Sequence, residues 1–208
     1  MRRRTSESIA VKQLILEDRA LGGCLEKVAQ ETLRTLTAGG KVLLFGNGGS
    51  ASDAQHIAAE LVGRYKLERR GLAAIALTAN TTSLTAIAND YAYERVFARQ
   101  VEALAAPGDV ALGISTSGNS PSVLRGVQAA KTRGAITVGL TGKSGGRLKA
   151  EVDYCVQVPS AETARIQEVH ILIGHILCEF VEGEIFRAPN GTRQRRCTGP
   201  AEPWRGHG

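Results

Sequence analysis

The chain has 208 residues, 43% of them hydrophobic, and a formal net charge of +6, a length that suits one α/β domain with a sizeable core. No apolar run approaches the roughly 18–20 residues that span a bilayer. Arg2, Arg3 and Arg4 carry +3 and the stretch from Arg187 to Gly208 carries +4, which leaves −1 for the body between them, so the charge forms no stripe for a nucleic acid.

The basic start, Met1-Arg2-Arg3-Arg4-Thr5, has no apolar run behind it, so we read no signal peptide and expect a cytoplasmic chain. In the first forty residues Leu14, Leu21, Leu25, Val28 and Leu36 recur at helical intervals. This N-terminal helical segment (1–40) is predicted to kink or divide at Gly22-Gly23 and to end at Gly39-Gly40. Strand and helix then alternate. Short apolar runs predict strands at 42–45, 72–77, 110–114, 136–140 and 152–158. Helices are predicted at 51–65, 82–104, 121–133, 146–150 and 163–186. Repeated βα units imply a doubly wound, parallel five-stranded sheet flanked by helices, the three-layer α/β sandwich, over residues 41–186. From 187 to 208 the sequence is rich in Arg, Pro and Gly with no apolar period, which predicts a basic disordered tail. Cys24, Cys155, Cys178 and Cys197 show no paired spacing and read as inert thiols.

Two loops stand at the carboxyl ends of predicted strands, where ligands of such sheets gather. The first, Phe45-Gly46-Asn47-Gly48-Gly49-Ser50-Ala51, fits the G-x-G-x-x-A pattern of a dinucleotide site. That pattern requires an acidic residue at the end of the second strand, and this chain has Leu77-Thr78-Ala79-Asn80 there, which argues against a nicotinamide cofactor. A tight turn with Ser50 or Ser52 capping the next helix accounts for the same residues. The second loop places the hydroxyls of Ser115, Thr116, Ser117 and Ser120 within six residues, with Ser120 as N-cap and Pro121 as the first helical residue. Hydroxyls and free N–H groups at a helix start surround a phosphate well. With no P-loop lysine, a phosphate monoester such as a sugar phosphate is the expected ligand.

His56 and Glu60 share one face of the helix after the first loop, and Gln167 and His175 share a broad side of the last helix. These groups suit two chemistries. His56, Glu60, His175 and Gln167 form a candidate zinc site. Glu60 and His175 also suit base and acid for proton transfer beside a carbonyl. A histidine on a helix is more often a packing residue than a catalyst, and a helical glutamate can be simply solvated.

Four stretches together carry a more specific signal: FGNGGSASDAQHIAAELVGR (45–64), TAIANDYAYERVFARQV (85–101), LGISTSGNSPSVL (112–124) and TARIQEVHILIGHILCEFVE (163–182). They resemble the phosphoheptose isomerases of the sugar-isomerase (SIS) domain superfamily, over roughly 5–186. The resemblance implies a five-stranded parallel sheet and a homotetramer with sites at subunit contacts. It also implies interconversion of sedoheptulose 7-phosphate and D-glycero-D-manno-heptose 7-phosphate. By resemblance, Asn47, Gly48, Gly49, Asn89 and Asp90 contact substrate, and Ser115, Thr116, Ser117 and Ser120 cradle its phosphate. His56, Glu60, Gln167 and His175 match zinc ligands, one ion per subunit, and Glu60 and Gln167 match substrate contacts as well. Ala164 stands where some members carry an aspartate, so any proton transfer by that aspartate falls to another group here. A related scaffold of bacterial replication initiation shares the loops and the A-R-I-Q-E motif but lacks the Glu and His found here at Glu60 and His175. Their presence favours an enzyme over a non-catalytic sugar-phosphate-binding or scaffold protein.

Overall fold

A computed structural model describes residues 1–187. The rest of the basic tail, with Cys197, His207 and the disorder expected there, lies outside the described residues. Two helices come first, α1 (Arg2–Glu17) and α2 (Arg19–Thr37), followed by β1 (Val42–Gly46), α3 (Gly49–Val62) and β2 (Ala74–Ala76). Next come α4 (Thr81–Asp90), a 3₁₀ turn (Tyr93–Arg95), α5 (Val96–Leu104), β3 (Val110–Ile114) and α6 (Pro121–Thr132). The chain continues with β4 (Ile136–Thr141), α7 (Leu148–Glu151), β5 (Tyr154–Gln157) and the long α8 (Thr163–Phe186). No helix of the described residues is long and apolar enough to cross a membrane.

All five strands are parallel, in the order β2-β1-β3-β4-β5. The central strands are buried throughout because helices cover both faces of the sheet. Alternation along β1 serves both layers. Val42 and Leu44 join a core with Ala54, Ile57, Ile173 and Leu177, from α3 and α8. Leu43 and Phe45 join a second core with Phe97, Val101, Val123 and Val127, from α5 and α6. The Phe45 and Phe97 rings lie 5.4 Å apart, tilted as aromatic pairs prefer.

Three sequence expectations change. The N-terminal break falls at Asp18 rather than at Gly22-Gly23, because the Asp18 carboxylate accepts from Leu21 N–H (2.9 Å) and caps a new helix. The predicted helix 82–104 is divided. Asn89, Asp90 and an extended Ala92 end α4, which buries no residue, and the chain restarts so that α5 can bury Val96, Phe97, Ala98 and Val101. Helix α3 starts at Gly49 behind an N-cap Gly48, so neither Ser50 nor Ser52 caps it.

At the end of the sheet opposite the two loops, Asp109 joins the starts of β1 and β3. Its carboxylate accepts from Lys41 N–H (2.9 Å), Lys41 Nζ (2.6 Å) and Ala106 N–H (2.8 Å). Burial pushes this carboxyl up, but the lysine and the two backbone N–H groups outweigh it and hold it below its ordinary pKa.

A Cβ on Gly22 or Gly23 would meet nothing within 4 Å, and both lie inside α2. Gly22→Ala and Gly23→Ala should therefore each stabilise the fold by about 0.5–1 kcal/mol, by removing glycine's backbone freedom from the unfolded chain. Chemical denaturation midpoints that fall on either substitution would contradict this account of α2.

Candidate active site

In the strand order, β1 and β3 are neighbours whose following helices pack on opposite faces, so a crevice opens beyond their carboxyl ends. The two polar loops rise on either side of it. The glycines of the first loop have separate causes. A Cβ on Gly46 would lie 2.9 Å from Ile114 O and 2.8 Å from Ser50 Cβ, so strand and helix meet there without a side chain. Gly48 has φ +57°, which favours glycine. A Cβ on Gly49 would land on the amide of Gln167 from α8. These are requirements of the backbone and of close packing.

Asn47 links the two loops. Its Nδ2 donates to Ser120 Oγ (2.7 Å) and Ser122 Oγ (2.9 Å), and its Oδ1 accepts from Tyr93 OH (2.8 Å). Ser120 occupies the expected N-cap position of α6, but its hydroxyl makes no cap bond and faces Asn47 instead. Asn47, Tyr93, Ser120 and Ser122 thus line a cavity of about 420 Å³. Thr116 and Ser117 line a second cavity of about 610 Å³ with Lys143, Ser144 and Ser160. Ser115 is buried, and its N–H donates to Leu140 O (3.0 Å). The four hydroxyls therefore do not all face one space. The second loop leans on the 142–147 turn through Gly142 N–H to Thr116 O (3.0 Å) and Leu148 N–H to Gly118 O (2.9 Å).

Helices α3 and α8 pack side by side in the same direction, Gly49 against Gln167 and Ile57 against Gly174. A Cβ on Gly174 would lie 2.5 Å from Ile57 Cγ1, so the absent side chain lets the helices close in. The next residue of α8, His175, meets α3. Its Nε2 lies 2.9 Å from His56 Nε2, and His56 Nε2 lies 3.3 Å from Glu60 Oε1. Donor atoms of His56, Glu60 and His175 all lie within 4.8 Å of one another. Gln167 stands eight residues before His175, about 12 Å along the axis of α8 by helical rise, and its amide rests against Gly49. Asn89 and Asp90, exposed at the end of α4, bond to each other (2.9 Å) and to none of the other candidate residues.

Two nearby groups stand apart from this cluster. Burial, with Glu60 nearby, pushes the Cys178 thiol up to about 12, and its sulfur is not among the donor atoms that converge with His56, Glu60 and His175. His170 is fully buried, and burial pulls its pKa down to about 4 although Thr141 O, 3.2 Å away, favours the charged form. It is a neutral packing histidine.

Sequence reading missed Tyr65, whose ring stacks on the His175 imidazole with centroids 5.7 Å apart. It also missed Tyr93 and Lys143. Tyr65 and Lys143 lie in loops and Tyr93 opens the short 3₁₀ turn, where no periodicity marks them. Asp53 was legible but unused. It precedes His56 by one turn on α3, burial pushes its carboxyl up, and its Oδ2 has no hydrogen-bond partner among the described residues.

Residues 10–142 match the SIS domain family. The chain is 58% identical over 179 residues to the phosphoheptose isomerase of Roseiflexus sp. (strain RS-1), covering 86% of this chain and 90% of that one. Two solved structures are similar. The phosphoheptose isomerase of Neisseria gonorrhoeae superposes with a TM-score of 0.81 at 45% identity, over 86% of this chain and 95% of that one. That of Francisella tularensis superposes with a TM-score of 0.83 at 38% identity, over the same shares. With its five-stranded parallel sheet, its paired loops and these relatives across most of its length, the chain belongs to the phosphoheptose isomerases of the SIS-domain family.

Proposed function

We propose that this isomerase converts sedoheptulose 7-phosphate to D-glycero-D-manno-heptose 7-phosphate through an enediol, with Glu60 and His175 as the proton-transfer pair. The observation that carries the reading is the convergence of a carboxylate and two imidazoles from α3 and α8, with donor atoms within 4.8 Å. The phosphate binds at the second loop, where Ser120 and the first turn of α6 offer a hydroxyl and free N–H groups. Thr116 and Ser117, with Lys143 beside them, supply a second polar wall. Binding at this remote end positions the reacting carbons.

Glu60 removes a proton from C1 of the open-chain ketose. The C–H electron pair forms the C1–C2 double bond, and the carbonyl oxygen takes a proton from His175. Glu60 then returns its proton to C2, the O1 proton passes back to His175, and C1 becomes the aldehyde. Asn47, Gly48, Gly49 and Gln167 orient the chain between the two ends. Asn89 and Asp90 are free to complete the site of a neighbouring copy. Helix α1 buries no residue and exposes Ile9 and Leu16 on one side and Leu14 on another, apolar surface that suits the homotetramer we expect.

Two imidazole nitrogens and a carboxylate oxygen form a donor set that zinc accepts. His56, Glu60 and His175 would hold the ion; the Gln167 amide, which rests against Gly49, would have to turn towards them to serve as a fourth ligand. Bound there, zinc would supply Lewis-acid polarisation of the substrate carbonyl. A carboxylate that serves as ligand is a weaker base, so metal and base compete for Glu60.

NMR of the purified protein with sedoheptulose 7-phosphate should show a new aldose signal. No such signal, with and without added zinc, would favour a non-catalytic sugar-phosphate-binding protein. Glu60→Gln should lower kcat by about 10²–10⁴-fold, the range for loss of a general base. Ser120→Ala should raise KM roughly 10-fold through loss of one hydrogen bond to a charged phosphate, and an unchanged KM would move the phosphate elsewhere. Chelation that strips zinc, verified by elemental analysis, should lower turnover by removing carbonyl polarisation, and zinc should restore it. Full activity in the stripped protein would remove the metal from the reaction.

A further inference from the structure

Seven residues beyond His175, on the same side of α8, Glu182 forms an ion pair with Arg69 whose two side chains are 2% and 1% exposed. Such a buried pair contributes little net stability compared with a well-packed apolar pair, so its hydrogen bonds indicate what it specifies. The Glu182 carboxylate accepts from the backbone N–H groups of Tyr65 (2.9 Å), Lys66 (2.6 Å) and Leu67 (2.8 Å), and from Arg69 Nε (2.6 Å). The Arg69 guanidinium donates to Glu60 O (2.8 Å), Leu61 O (2.9 Å), Gly63 O (3.4 Å) and Arg70 O (3.0 Å). The pair therefore satisfies carbonyls that end α3 and N–H groups that open the loop to β2.

We propose that this clasp holds the Tyr65 ring against His175, making Tyr65 a positioning residue for the isomerisation. The proposal rests on the role given to His175 above. Tyr65 follows Glu60 by five residues, and Arg69 anchors both the Glu60 carbonyl and, through Glu182, the Tyr65 backbone. The Tyr65 ring stacks on His175 at 5.7 Å with planes 26° apart, and His175 meets the His56 ring edge-on at 5.1 Å. On its loop, Tyr65 is held further by Lys66, whose Nζ lies 5.4 Å from the ring centroid and 2.8 Å from Glu179 Oε1. One stacked ring thus fixes the imidazole plane from a side that no other aromatic residue covers among the described contacts. Stacking needs the ring and not its hydroxyl.

The test uses the full-length protein carrying [¹³Cε1]histidine at one fixed pH. Its four histidines give a sparse spectrum, and His175→Gln assigns the signal. Tyr65→Ala should shift the His175 signal by removing the ring current, while Tyr65→Phe keeps it in place. Arg69→Lys, which retains the charge but not the fork of donors, should shift it in the direction seen for Tyr65→Ala. With sedoheptulose 7-phosphate, Tyr65→Ala should lower kcat by roughly 3–10-fold at near-constant KM, and Tyr65→Phe should restore it. An unmoved His175 signal in Tyr65→Ala overturns the proposal, as does a loss that Tyr65→Phe fails to restore or one that falls in KM. The spectra need no substrate, so an inactive wild-type protein would count against the isomerase reading while the spectra still decide the clasp.

Discussion

The close passage of α3 over α8 is the contact on which the rest of this molecule depends. Gly174 presents no side chain to Ile57, so two parallel helices approach until His56 and Glu60 of one meet His175 of the other. A methyl group at that crossing would push apart the residues to which we assign the proton transfer. The helices are in turn held by the core they share, in which Ala54, Ile57, Ile173 and Leu177 pack on Val42 and Leu44 of β1. The packing of the core and the chemistry proposed for the site thus rest on the same few contacts.

The strand order adds a second constraint. Because β1 and β3 are adjacent, their loops face each other across the crevice, and Asn47 can bond to Ser120 and Ser122 directly. Polar groups that could otherwise cap local turns line the cavity between the loops. Ser120 illustrates the exchange: it stands where a cap belongs, yet its hydroxyl serves the neighbouring loop. Tyr93 reaches the same asparagine only because α4 stops at Asp90 and the 3₁₀ turn brings the phenol back over the first loop.

Two buried or half-buried charge pairs do comparable work at different places. Lys41 and Asp109 tie the starts of the central strands together, far from the loops. Arg69 and Glu182 organise the loop that leaves α3. In each, backbone N–H groups complete the hydrogen bonding of the carboxylate, which keeps it ionised despite burial. In both, the carboxylate fixes the backbone segment whose N–H groups donate to it.

Much of the fold was legible in the residues alone. Unalternated apolar runs marked buried parallel strands, and β3 and α8 fall at the expected positions because their patterns end on sharp turn residues. The i, i+4 spacing of His56 and Glu60 placed them on one face before any packing was known, and the motif strings identified the relatives. Tertiary contacts decided the remainder. Pattern could not show that Asp18, rather than two glycines, divides the N-terminal helices, since both are ordinary breakers and only the carboxylate's bond to Leu21 N–H distinguishes them. Nor could it join Tyr65, Arg69 and Glu182, which are separated by up to 117 residues and carry no shared period. Sequence specifies which groups each element presents, and only the packing of elements determines which of those groups meet.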